Sequence, residues 1–81
     1  MQLNVLFFSV LKEKLGRASI EVTLAQGATG SDLLDALAGE HESIHAFRSV
    51  IRLAVNSAYV REAVVLQPGD EVAIITPVSG G

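Results

Sequence analysis

Two groups of residues in this chain could do chemistry. The first is His41-Glu42-Ser43-Ile44-His45, an H-E-x-x-H pattern. On a continuous helix it would set two imidazoles on one face to bind zinc, with Glu42 as general base. A third ligand is then required, and Glu62 is the nearest downstream carboxylate candidate. Against this, Gly39 disturbs the helical pattern just before the motif, and an 81-residue chain is small for both a zinc pocket and a substrate cleft. The reading preferred here is a pair of solvated histidines at a loop or helix end, with no metal bound. The second group is the ending, Pro77-Val78-Ser79-Gly80-Gly81. Two glycines at a free C-terminus make a thin tip with an unhindered carboxylate. Such a tip can enter an active site too narrow for any side chain, so the reactive atom would be the end of the backbone itself. The alternative is a frayed tail without chemistry, since termini are commonly poorly ordered.

Other motifs carry less. Thr29-Gly30-Ser31-Asp32 lacks the Lys of a phosphate-binding loop and reads as a helix cap. Ser9, Ser49, Ser57 and Ser79 lack a G-x-S-x-G setting. The absence of cysteine removes disulfides, thiolate metal sites and thiol catalysis, and is compatible with a reducing cytoplasmic setting. A net charge of −3 with scattered basic residues gives no nucleic-acid footprint. Lys12, Lys14 and Arg17 read as a solvated face, with docking of an acidic partner as the alternative. The apolar run from Leu3 to Leu11 is interrupted by Asn4 and Ser9 and is too short to span a membrane.

The elements that must position these residues follow from periodicity. Leu3 to Phe8 is apolar on both faces, as in a central strand. Val10 to Leu15 predicts a short helix closed by Gly16. Ile20, Val22 and Leu24 alternate with Glu21 and Thr23 in a second strand. Thr29 and Asp32 have capping-box spacing, Ser31 is a competing cap, and Leu33, Leu34, Leu37 and Ala38 form the apolar stripe of the main helix, which Gly39 weakens or ends. Ile44, Phe47, Val50 and Ile51 predict a second short helix or ordered loop with an apolar side. Leu53-Ala54-Val55 is a strand, Asn56-Ser57 a turn and Tyr59-Val60 a short return strand. Gln67-Pro68-Gly69-Asp70 is a turn, followed by a last strand from Glu71 to Thr76. The main helix must cross back over the sheet to bury its stripe. The fold class is therefore α+β, a roll with a mixed sheet of four or five strands on one main helix. One helix covers one face only, so Leu6, Phe8, Ala73 and Ile75 are expected partly on the other, as a patch for a protein partner. Residues 1–76 form the domain and 77–81 a flexible tail.

The segment Leu66-Gln67-Pro68-Gly69-Asp70-Glu71-Val72-Ala73-Ile74-Ile75-Thr76-Pro77-Val78-Ser79-Gly80-Gly81 resembles the C-terminus of the small, sulfur-carrying subunits of molybdopterin synthase, in the MoaD/ThiS-like family. Val5-Leu6-Phe7-Phe8 followed by Leu11-Lys12-Glu13-Lys14-Leu15-Gly16, then Thr29 with Asp32-Leu33-Leu34 and Leu37, and Ala54-Val55-Asn56 extend the resemblance over essentially the whole chain. The pattern departs at Ile74 and Ile75, where aromatic residues are frequent, at Thr76, often Pro, at Gly30, usually apolar, and at Ser57, usually Gly.

The resemblance implies a ubiquitin-like β-grasp fold and a carrier that is not an enzyme by itself. Gly81 would be adenylated by an E1-like activating enzyme that consumes ATP, then converted by a sulfur donor protein to a thiocarboxylate that gives sulfur to a pterin precursor in molybdenum cofactor biosynthesis. Gly80 would give the tip clearance. Phe8, Ile75, Pro77, Val78 and Ser79 would contact the partner, the large catalytic subunit, in a heterotetramer. No cofactor is expected on the chain itself, nor contact with nucleic acid or membrane. Five extended residues from Pro77 reach about 17 Å, enough to enter a pocket while the domain docks outside. Alternatives are a carrier for thiamine or tRNA thiolation, or a ubiquitin-like binding module with an inert tail.

Overall fold

The structure, a computed structural model, describes residues 1–77. The chain runs β1 (Gln2–Phe7), α1 (Ser9–Leu15), β2 (Ser19–Thr23), α2 (Gly30–Glu40), α3 (Glu42–Phe47), β3 (Arg52–Val55), β4 (Ala58–Val60) and β5 (Glu71–Ile75). The strands form one sheet in the order β2-β1-β5-β3-β4. β1 pairs antiparallel with β2 and parallel with β5. β3 pairs antiparallel with β5 and with β4. The sheet is thus mixed and five-stranded, with β5 at its centre and the first and last described strands side by side.

Local chemistry accounts for the element ends. Gly16 closes α1 in the left-handed region at φ 72°, and its N–H donates to the Lys12 carbonyl at 3.0 Å. The Thr29 N–H donates to the Asp32 carboxylate at 2.9 Å, and the Asp32 N–H donates to the Thr29 hydroxyl at 3.2 Å, a reciprocal capping box. Ser31 is not the cap: it lies inside α2, and its N–H donates to the Glu62 carbonyl at 2.8 Å. Gly39 does not end the helix either. α2 continues to Glu40 and stops where His41 turns extended, at φ −128° and ψ 111°. One glycine near a helix end costs about 1 kcal/mol, and the buried leucines outweigh it.

The inner face of the sheet carries Leu3, Val5, Phe7, Val72, Ile74 and Leu53, packed on Leu33, Leu34 and Leu37 of α2, with Leu11, Ile44, Ile51 and Leu66 completing the core. β2 lies at the sheet edge, so Ile20 and Val22 are only half-buried. Val50, expected on an apolar side, is 43% exposed. α3 ends at Phe47, and the Val50 N–H donates to the Phe47 carbonyl in the turn that follows, which rotates Val50 out of helical register.

The stretch 61–66 closes over the start of α2. The Gly30 N–H donates to the Val64 carbonyl at 3.0 Å, and the Leu66 N–H to the Ala28 carbonyl at 2.9 Å. A side chain at Gly30 would be crowded there, because a Cβ would lie 2.5 Å from Leu53 Cδ1 and 3.1 Å from the Glu62 carbonyl oxygen. The turn before β5 forms as its sequence dictates. Gly69 takes φ 82°, and the Asp70 N–H donates to the Gln67 carbonyl at 3.1 Å. The Asp70 carboxylate accepts from the Gln67 N–H at 2.8 Å.

Candidate functional site

β5 lies in the middle of the sheet, and what surrounds its last residues on the face that α2 leaves uncovered forms the candidate site. Its inner positions, Val72 and Ile74, are in the core, and its outer positions, Ala73 and Ile75, lie on the face that α2 does not cover. Register extends that face sideways. Leu6 pairs with Ala73, Ala73 with Ala54, and Ala54 with Tyr59, which makes one apolar row across four strands. Phe8 follows Leu6 by two positions, at 46% exposure. Leu6, Phe8, Ala54, Tyr59, Ala73 and Ile75 line a shallow hollow of about 270 Å³, with Ser57 and Glu71 at its rim.

Backbone conformation presents two of these side chains. Ser9 opens α1 at φ 47°, directly after an extended Phe8, so the chain turns sharply off β1 and leaves the Phe8 ring outside the core. Asn56 and Ser57 take φ 49° and 74°, the two positive values of a tight hairpin between β3 and β4. That hairpin stands Tyr59 on the outer face, 72% exposed. The Asn56 amide donates to the Asp70 carboxylate at 3.0 Å and its carbonyl accepts from the Glu71 N–H at 3.0 Å, which ties the hairpin to the start of β5.

The sequence-predicted patch of Leu6, Phe8, Ala73 and Ile75 is therefore one surface. Phe8 and Ile75 come together in it, and Pro77 lies exposed just beyond β5. Val78, Ser79, Gly80 and Gly81 lie outside the described residues. Ala54 and Tyr59 were not among the expected surface residues. Their signal was available in the alternation through Leu53-Ala54-Val55, but which strand neighbours β5 was not.

The H-E-x-x-H residues do not form one helical face. His41 is the extended residue between α2 and α3, and only His45 sits on a helix. The His41 carbonyl accepts from the N–H groups of Ile44 and His45, so it serves as the start of α3. Glu62, the expected third ligand, is engaged elsewhere: the Arg48 guanidinium lies 2.9 Å from its carboxylate and 3.2 Å from that of Asp35. No group of three metal-ligating side chains occurs among the described residues. The hydrogen bond that Arg48 donates to the Glu62 carboxylate holds the guanidinium pKa above its ordinary value, partial burial works against it, and Asp35 adds to the rise. This is a structural network, joining α2 to the stretch that covers its start.

Comparison with known proteins places this geometry. The model of the ThiS family matches residues 5–81. A protein of Chlamydomonas reinhardtii named molybdopterin synthase sulfur carrier subunit is 37% identical over 83 residues, covering 100% of both chains. One of Arabidopsis thaliana with the same name is 33% identical over 81 residues, covering 100% of this chain and 84% of its own. Among solved structures, SAMP1 from Haloferax volcanii superposes with a TM-score of 0.84 at 28% identity, covering 100% of both chains. A family match that spans nearly the whole chain, with full-length relatives above 30% identity and the β-grasp arrangement described above, shows that this chain belongs to the ThiS family.

Proposed function

We propose that this protein is the sulfur carrier subunit of a molybdopterin synthase, with residues 1–76 as the docking domain, 77–81 as the reaching tail and the Gly81 carboxyl carbon as its reactive centre. The observation that carries the reading is the whole-length correspondence to relatives of that name, which leaves no part of either the chain or its algal relative unmatched. The fold supports it physically. β5 is central, so the backbone leaves the sheet beside the uncovered apolar face, and a partner seated on that face would lie next to the departing chain.

With Gly81 as the last residue of the working chain, the chemistry follows from the weakness of a carboxylate as an electrophile. An E1-like activating enzyme joins the carboxylate to AMP from ATP and releases pyrophosphate. A persulfide on a sulfur donor protein attacks the acyl carbon and expels AMP. Cleavage of the resulting sulfur–sulfur bond by a thiol leaves the thiocarboxylate. The large catalytic subunit then takes in the tail and supplies the pocket where sulfur passes to the pterin, in a heterotetramer of two small and two large subunits. The carrier needs no cofactor of its own and works in the cytoplasm. Gly80 lets the tip thread a narrow channel, since it lacks a Cβ. Phe8 and Ile75 hold the domain against the large subunit, and Pro77, Val78 and Ser79 line the way in.

Intact-mass measurement tests this directly. After incubation with the activating enzyme, ATP and a sulfur donor, one oxygen is expected to be replaced by sulfur, located at Gly81 by fragmentation. Deletion of Gly81 is expected to abolish that shift and leave the melting temperature unchanged. An unmodified mass with an activating enzyme that works on another carrier overturns the reading.

A further inference from the structure

The uncovered face is charged at its two ends, and the charges have opposite sign. At one end, Asn4 pairs with both Glu21 and Glu71, which sets two carboxylates in one row across β2, β1 and β5. The middle row is apolar. At the other end, Arg52 pairs with Ile75, the last residue of β5. The β3–β4 register sets Leu53 opposite Val60. Arg52 precedes Leu53 and Arg61 follows Val60, so the two arginines lie at the same end of the β3–β4 pair. Both arginines are exposed and line one hollow of about 430 Å³ at this end of the sheet. Glu62 lies in the same hollow, but its carboxylate is already held by Arg48. Among the described residues, neither Arg52 nor Arg61 makes an ion pair.

Two guanidinium groups lining one hollow repel each other, so their closeness adds nothing to this domain alone. In a chain of net charge −3 they form a local positive spot, placed where the backbone leaves the sheet. We propose that Arg52 and Arg61 are a docking key: they engage carboxylates on the rim of the cleft through which the large subunit takes in the tail, with the Glu21 and Glu71 end facing basic residues across the apolar strip. This rests on the sulfur-carrier reading and adds the charge pattern of the partner. The guanidinium fork matches a carboxylate with two parallel hydrogen bonds, which fixes orientation as well as attraction. An apolar strip alone would let the domain dock in either sense along its length. Opposite charges at its ends admit one sense, the one that points the tail at the cleft. Charges on the rim of an interface act chiefly on the association rate and on its salt dependence.

The test is association of the full chain with the large subunit, followed by stopped flow at low and high ionic strength. The Arg52→Glu/Arg61→Glu double variant is expected to associate roughly tenfold more slowly at low salt, with the difference vanishing at high salt. Dissociation and melting temperature should change little. Arg52→Lys/Arg61→Lys, which keeps the charge, should associate at nearly the wild-type rate. If wild type binds but the glutamate variant associates equally fast, the docking key is overturned and the carrier reading stands. If wild type does not bind the large subunit at all, the carrier reading fails and this inference with it. Inhibition of association by inorganic phosphate at matched ionic strength would identify the arginines as a phosphate site and overturn the carboxylate assignment.

Discussion

Ser57 shows how one residue can hold an exposed surface at a cost. It takes φ 74° in the hairpin that raises Tyr59 onto the outer face. A side chain in the left-handed region costs about 1–2 kcal/mol, and glycine adopts it freely. Ser57→Gly is therefore expected to stabilise the domain by about 1 kcal/mol, read as a higher urea midpoint at unchanged slope. Arg48 is the second residue whose effect can be given a sign. Its guanidinium is held above its ordinary value by Glu62, so the protonated form is favoured in the folded state. That contribution is fully present below the unfolded-state value and is lost only as pH rises through the folded one, at strongly alkaline pH. The network is accordingly no switch near neutrality. The side chains of Asp35 and Glu62 are 70% and 41% exposed, which limits the worth of the pairs through solvent screening. Arg48→Gln should cost about 1 kcal/mol, and less in high salt, by thermal melts across an ionic-strength series.

At the scale of elements, the start of α2 is the most sensitive junction. The capping box satisfies helix-end donors, and Gly30 and Ser31 give their N–H groups to the stretch that covers them. Thr29→Ala should cost about 1 kcal/mol by denaturant titration. Gly30→Ala should cost more, about 1–3 kcal/mol, because the new methyl would meet Leu53 and the backbone of Glu62. A variant of equal or higher stability would show that the 61–66 stretch yields readily. The crowding also accounts for glycine at this position: the covering stretch and Leu53 approach the helix closely enough to occupy the space of a side chain.

For the whole molecule, the division of the sheet into a buried and an uncovered face separates stability from the docking proposed above. Phe8 sits on the uncovered face, outside the core cluster. Phe8→Asp should leave the melting temperature nearly unchanged while weakening association with the large subunit at least tenfold, measured by titration calorimetry; an unfolded variant would place Phe8 in the core instead. Much of this was legible in the sequence because it depends on local chemistry. Alternation marked the strands, the 29–32 spacing marked the capped helix, and Gly16, Asn56 and Gly69 marked sharp changes of direction, each decided within a few residues. The H-E-x-x-H pattern misleads for the converse reason. Its spacing assumes one helix, and the chain turns extended at His41, where the ends of two packed helices meet. What only the tertiary structure decided is adjacency. That the first and last described strands lie side by side, that Ala54 and Tyr59 continue the row begun by Leu6 and Ala73, and that Arg52 and Arg61 lie together on the β3–β4 side of the end of β5 all depend on strand order and register. Those are set by which apolar faces bury best against α2 over the whole chain, a competition among distant segments that no local stretch of sequence contains.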